Sequence, residues 1–264
     1  MKKTIAQLAL VLLVAACGQP GNDDAADHSA TTEIDSAVYA DAISNPYRSE
    51  TDRGRDANRK PAEVLEFFSV APGMTVLDLF SGGGYYAEIL ARVVGTDGQV
   101  IAQTNEAYLG FVGDEFNARY ADNRLPNVEV LMAENNELEL ETQRFDIIIM
   151  ALSYHDLYYA APQRGWSKID AAKLLAELLD GLRPGGVLGI IDHYAEAGAP
   201  RETGGTLHRI DPSIVIAELK AAGFELDATS DLLRNTDDDH SKVVFDPSVR
   251  GRTDRFVLRF RKPR

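Results

Sequence analysis

Apolar residues divide the chain into three stretches of different character. Lys2 and Lys3 precede an apolar run over residues 5–16 that only Gln7 interrupts. Residues 18–33 are rich in Gly, Asn, Asp, Ala, Ser and Thr and have no apolar period. From Ile34 to the end, short apolar runs alternate with helical periodicities. Runs at 74–80, 100–103, 128–132, 146–152 and 187–191 predict buried strands. A parallel strand covered by helices on both faces needs no polar side. Leu174, Leu178 and Leu182, with Leu175 and Leu179 beside them, form one apolar stripe on a helix over 169–182. Further helices are predicted at 34–43, 61–70, 85–94, 111–120 and 212–222. Pro61 and Pro212 open two of them, and Asn45-Pro46, Pro72-Gly73 and Gly223 punctuate the chain. Residues 47–60 are polar and read as a solvated face, with Arg48, Arg53 and Arg55 among acids. Two last strands, at 224–226 and 256–260, flank an acidic loop at 237–239. Repeated βα units predict an α/β fold with a doubly wound, mostly parallel sheet.

The start of the chain reads as an address. Twelve apolar residues are too few to span a bilayer, whereas a basic start and a short apolar stretch describe a secretory signal. The stretch ends Val14-Ala15-Ala16-Cys17, and Cys17 is the only cysteine among 264 residues. It resembles the bacterial lipobox, in which that cysteine receives a diacylglyceryl group. The organisation expected is a lipoprotein signal peptide at 1–16, a flexible tether at 17–33 and one domain at 34–264. Gly18, rather than an aspartate, implies by resemblance the periplasmic face of the outer membrane. The net charge of −14 makes nucleic acid a poor partner, because phosphate neutralisation needs a basic face. A single cysteine also excludes an internal disulfide and a cysteine-based zinc cluster.

The chemistry concentrates at the first strand. Asp78-Leu79-Phe80-Ser81-Gly82-Gly83-Gly84 joins it to a helix, and Gly82, Gly84 and Ala87 satisfy G-x-G-x-x-A. Glycines there let the backbone turn sharply and approach a ligand at a helix N-terminus. Asp78, four residues before Gly82, would repel a pyrophosphate but attract a cationic methionyl end.

These residues resemble the class I S-adenosylmethionine-dependent methyltransferases. The resemblance runs over about 60–262 and includes Phe145-Asp146-Ile147-Ile148, Leu182-Arg183-Pro184-Gly185-Gly186 and Ala222-Gly223-Phe224. Gly82-Gly83-Gly84-Tyr85-Tyr86, Tyr154-His155-Asp156 and Leu207-His208-Arg209-Ile210-Asp211 are similar to a bacterial group described only as predicted methyltransferases. It implies a Rossmann-like seven-stranded sheet of order 3-2-1-4-5-7-6 and S-adenosyl-L-methionine as cofactor. Asp78, Ser81, Gly82 and Gly84 would hold the methionyl part, Glu134 the adenine edge, and Asn105 or Glu106 the ribose. Phe80 stands where many members have a glycine, and the second strand lacks the usual acid at its tip.

Ligands in such sheets bind beyond the carboxyl ends of the strands. His155, His193 and His208 fall there. His155, beside Asp156, is the first expectation for a general base, with its ring facing the acceptor; His193, beside Asp192, is the second. The same histidines with Asp192 or Asp156 could ligate a metal, but no H-x-x-x-H spacing supports that, and none is expected. Tyr85, Tyr86, Tyr158, Tyr159 and Trp166 fit substrate stacking and packing equally. The basic tail from Arg250 reads as a charged edge strand. Two functions remain: a methyltransferase for a small-molecule acceptor, or a lipid-anchored binding or envelope protein on a methyltransferase-like fold without catalysis.

Overall fold

Seven strands pair into one sheet: β1 (Thr75–Leu79), β2 (Gln99–Thr104), β3 (Val128–Met132), β4 (Phe145–Ala151), β5 (Leu182–His193), β6 (Glu225–Ser230) and β7 (Arg255–Arg261). The computed structural model describes residues 35–264, so the expected signal, tether and lipidated Cys17 lie outside the described residues. The strand order is 3-2-1-4-5-7-6, as expected. β1 to β5 pair in parallel, and β7 runs antiparallel between β5 and β6. Eight helices flank the sheet: α1 (Ala37–Ser44), α2 (Glu50–Arg59), α3 (Pro61–Phe67), α4 (Tyr85–Val94), α5 (Glu106–Tyr120), α6 (Ala171–Gly181), α7 (Thr203–Leu207) and α8 (Pro212–Ala221). No helix among the described residues is long and apolar enough to cross a membrane.

The period of two in the strands produces two cores. Val76, Ile147, Ile149 and Val257 point to one face, under α1, α3 and α4. Leu77, Leu79, Ile148, Met150, Leu188 and Ile190 point to the other, under α6 and α8. Both faces of the central strands are therefore apolar, which is why they read as unbroken runs.

Three features depart from the sequence expectation. The polar stretch expected to be a solvated face contains α2. Its sequence, ETDRGRDANR, has no apolar stripe, so periodicity gives no sign of it. It forms because Ser49 caps the Asp52 N–H at 3.1 Å, acids fill its first turn and Arg59 its last. Nor is Arg48 solvated: it is buried and forms a two-pronged pair with Asp56 at 2.7 and 2.8 Å. β5 begins at Leu182, through Arg183-Pro184-Gly185-Gly186, because its pairing with β4 shifts register there and leaves room for the proline. The basic tail is not an edge. β7 is an inner strand, and Arg259 and Arg261 reach Asp227 on β6 at 2.6 and 3.0 Å.

α2, α4, α5 and the glycine loop meet at Arg119, which is 4% exposed. Its guanidinium donates to the Gly83 carbonyl, to Glu88 on α4 and, at 2.7 Å, to Asp52 on α2. Burial alone would raise Asp52, but the Arg119 pair holds its carboxyl below the usual range. Replacing Arg119 by Met leaves two buried carboxylates without this partner. The expected loss is about 3–5 kcal/mol, read from urea unfolding.

Candidate functional site

A cleft of about 500 Å³ opens at the carboxyl ends of β1, β4 and β5, a size usual for small ligands. Asp78, Ser81 and Gly82 line it from β1, Leu152 and Ser153 from β4, and His193 from β5. Arg55, Asn58 and Arg59 of α2 and the segment from Val244 to Arg255 face it from above. The helix that periodicity missed thus forms one wall of the site.

The floor is built by close approach. Gly82 lines the cleft at φ +57, and a Cβ there would touch Tyr108 Cδ1 at 3.9 Å and the Phe80 carbonyl at 4.0 Å, so a larger side chain would have to grow into the cleft. Gly84 has another job. It caps α4 at φ +80 and does not line the cleft; a Cβ there would lie 2.5 Å from both Arg119 and Tyr120. Phe80, the departure from the glycine pattern, takes the left-handed conformation anyway, at φ +55. Its N–H donates to Gln103 Oε1 at 2.9 Å and its ring packs edge-on against Tyr108.

Asp78 is 3% exposed. Burial pushes its carboxyl up to about 6, against the pull of the Ser81 hydroxyl, which donates to it at 2.6 Å. Ser153 Oγ is buried and has no partner, and Leu152 before it sits at φ +61. An orphaned hydroxyl beside a strained residue in a cleft marks a place for a ligand. Arg255 is buried, its Nε on Thr253 Oγ1 at 3.1 Å and another nitrogen on the Asn58 carbonyl at 3.1 Å. Burial, and then Arg59, push its pKa down to about 10. Arg59 lies over the Tyr85 ring at 4.2 Å. Among the described residues Arg59, Arg250 and Arg255 meet no carboxylate.

The expected adenosine residues lie along the rim. Asn105 is buried as the cap of α5, accepting from the Tyr108 N–H at 3.0 Å, and its amide reaches Asn135 at 3.1 Å. Glu106 and Glu134 are exposed; burial, then Glu106 and Glu137, raise Glu134. None of Asn105, Glu106 and Glu134 lines the cleft itself. Thr104 Oγ1 and Asn135 Nδ2 nearby are buried without partners.

The expectation for His155 is corrected. Its ring is 3% exposed and does not line the cleft. Nδ1 pairs with Asp192 at 2.7 Å, and Nε2 faces Asp156 at 3.3 Å. Burial would lower its pKa, but the two carboxylates raise it to about 9. A buried imidazolium is not a base at neutral pH. Asp156 is likewise buried, and Tyr108 donates to it. His193 does line the cleft. Burial, and then Arg255 and His155, hold it well below the usual histidine range. Thr253 Oγ1 accepts from Arg255 Nε and lies 2.6 Å from His193 Nδ1. With its pKa held low, His193 meets the cleft as a neutral, weakly basic ring. Tyr85 and Tyr86 line the cleft, while Trp166 packs on Tyr108 and Tyr159. Sequence reasoning overlooked Arg255 and Ser153 as site groups. Their only signal is position, next to a strand end.

Known proteins are similar to this chain in sequence and fold. Residues 26–149 match the protein-L-isoaspartate(D-aspartate) O-methyltransferase family. The ubiquinone/menaquinone biosynthesis C-methyltransferase of Shewanella pealeana is 32% identical over 131 residues, 49% of this chain and 46% of that protein. The chain thus spans about half the length of this curated relative. A solved S-adenosylmethionine-dependent methyltransferase from Aquifex aeolicus is 25% identical, with 87% of this chain and 99% of that one covered and a TM-score of 0.56. The fold is that of the S-adenosylmethionine-dependent methyltransferases. A Mesorhizobium loti enzyme of that description is only 16% identical yet superposes with a TM-score of 0.54, covering 79% of this chain and 100% of that one. At that identity the likeness is one of fold alone.

Asp78 carries a stability cost that pH can read. Its carboxyl sits at about 6 when folded, against about 3.9 for an ordinary aspartate. The folded state therefore takes up the proton first. The cost is full above pH 6, shrinks between 6 and 4, and is absent below. Asp78→Asn is expected to melt higher than wild type at pH 7, by about 2–4 °C per kcal/mol recovered. That gap should close by pH 4 in calorimetric scans.

Proposed function

We propose that this chain is a methyltransferase that uses S-adenosyl-L-methionine to methylate a small-molecule acceptor. The observation that carries the reading is the buried Asp78 carboxyl beside the bare Gly82 at the mouth of β1. A desolvated carboxylate is costly unless a cationic group meets it. The residues present fit the cofactor: Gly82 leaves space a side chain would fill, and Ser153 presents an orphaned hydroxyl.

When bound, that cofactor supplies an electrophilic methyl group. Asp78 and Ser81 would hold its ammonium end, and Asn105, Glu106 and Glu134 at the rim would meet its nucleoside. Arg59 and Arg255 suit carboxylates, on the cofactor or on an acidic acceptor. His193 would face the acceptor as a neutral ring. α2 and Val244, Phe245 and Arg250 wall the cleft around it. With neither histidine poised as a base, rate would come from alignment of the acceptor for in-line displacement. The same lack of a ready base favours the second reading, a binding protein without turnover.

A titration with S-adenosylmethionine tests the proposal. Wild type is expected to bind, with affinity falling as pH drops through 6 and Asp78 takes a proton. Gly82→Val should weaken binding at least tenfold, and Asp78→Asn by a similar factor, about 1.5–3 kcal/mol for a charge-assisted contact. No binding near millimolar cofactor sinks the methyltransferase reading. Binding without methyl transfer to any acidic small molecule leaves the second.

We further propose that Cys17 carries lipid and anchors the domain at the periplasmic face of the outer membrane. Cys17→Ser should release the protein from the membrane fraction. Unchanged fractionation and processing would refute the anchor.

A further inference from the structure

We infer that His155, Asp156 and His208 form a binding site for one divalent transition-metal ion, beside the cleft and independent of the cofactor. One ligand atom from each, two imidazole nitrogens and a carboxylate oxygen, lie within 4.8 Å of one another. His155 Nε2 is 3.3 Å and His208 Nδ1 is 3.6 Å from the same atom, Asp156 Oδ1. Both separations exceed the roughly 2.7–2.9 Å of a charge-assisted hydrogen bond. They match the edge of a tetrahedron whose centre lies about 2.0–2.1 Å from each ligand, roughly 3.3–3.4 Å.

The surroundings commit each residue to present that one atom. His155 Nδ1 pairs with Asp192 at 2.7 Å, which aims Nε2 away from Asp192, and the ion takes the place of the proton on Nε2, releasing it to solvent. Asp192 is itself fixed by the backbone N–H groups of His155 and His193, at 2.8 and 2.7 Å. Carboxylate–histidine–metal relays have this form. Tyr108 donates to Asp156 Oδ2, leaving Oδ1 to face the histidines. The His208 ring is flanked by Tyr159 and Phe245, with ring centroids 5.3 and 4.8 Å away.

The backbone is built for the same convergence. His208 holds the left-handed conformation at φ +54. α7, just before it, lies directly on the turn Tyr154–Tyr158. A Cβ on Gly204 would come 2.5 Å from the His155 carbonyl, and one on Gly205 would come 2.9 Å from that of Tyr158. Two glycines thus let two distant segments approach until their side chains meet. Two imidazoles and one carboxylate suit zinc and its first-row neighbours rather than magnesium or calcium, and leave a fourth position open.

The full chain, stripped with chelator and dialysed, is titrated with zinc and separately with cobalt(II). One equivalent is expected, with cobalt giving visible absorption bands of a four-coordinate nitrogen and oxygen site. His208→Asn tolerates the left-handed backbone and should weaken zinc binding at least tenfold. Asp156→Asn should do the same, with the fold checked by circular dichroism. Zinc binding weaker than millimolar overturns the proposal. So does equal uptake by wild type and by folded His208→Asn, which would assign the metal to acidic surface.

Discussion

The site depends on one buried cation. Arg119 gathers the Gly83 carbonyl, Glu88 and Asp52 around a single guanidinium, so the glycine loop, α4 and α2 are positioned by one group on α5. Arg124 adds a second contact to Glu88 at 2.8 Å, and Glu115 approaches Arg119 at 3.2 Å. Such a cluster is not mainly a source of stability, because desolvation offsets most of the Coulomb attraction. What it supplies is uniqueness. One side chain ties the Gly83 carbonyl, α4 and α2 together, which holds Gly82 and the α2 wall in a fixed relation. That pre-organisation lowers the ordering cost of binding.

Electrostatics then separates two neighbouring histidines. His155 and His193 have ring centroids only 5.8 Å apart, yet one is held protonated and the other neutral. The difference lies in which way Asp192 points. Its carboxylate contacts the His155 ring but only the backbone of His193, whose ring looks toward Arg255 and Thr253. The positive charge on the His155 ring deepens the neutrality of His193. The cleft therefore faces a neutral ring, while the charged ring stays with the carboxylates behind it.

How much of this could be read from residues follows from the kind of signal each leaves. Buried strands and the α6 stripe have periods, and the β1 loop has glycines at fixed offsets, so the doubly wound sheet and that loop were legible, while the strand order followed only from the resemblance to the methyltransferases. α2 leaves no period because it packs through charge: Asp52 meets Arg119, and Arg48 meets Asp56. The role of His155 was misjudged because adjacency to Asp156 in sequence says nothing of Asp192, 37 residues away, which holds its ring. His208 presents the same difficulty. Its partnership with Asp156 depends on Gly204 and Gly205 lying on a turn that sequence places some 50 residues earlier.

Strain marks the same region from another direction. Phe80, Leu152 and His208 all hold positive φ, at +55, +61 and +54, without being glycine. A non-glycine residue in that conformation costs roughly 1–2 kcal/mol. Each follows a strand end or a short helix, at the edge where the cleft and the histidine cluster lie. In each case packing repays the strain locally: Phe80 on Tyr108, Leu152 through its N–H to the Ile191 carbonyl at 2.7 Å, and His208 between two aromatic rings. Relaxing any one of them would turn a side chain away from the rim. The sheet tolerates this because its two apolar cores lie below that edge. Three strained residues at the carboxyl edge thus stand on a packed sheet that holds them in place.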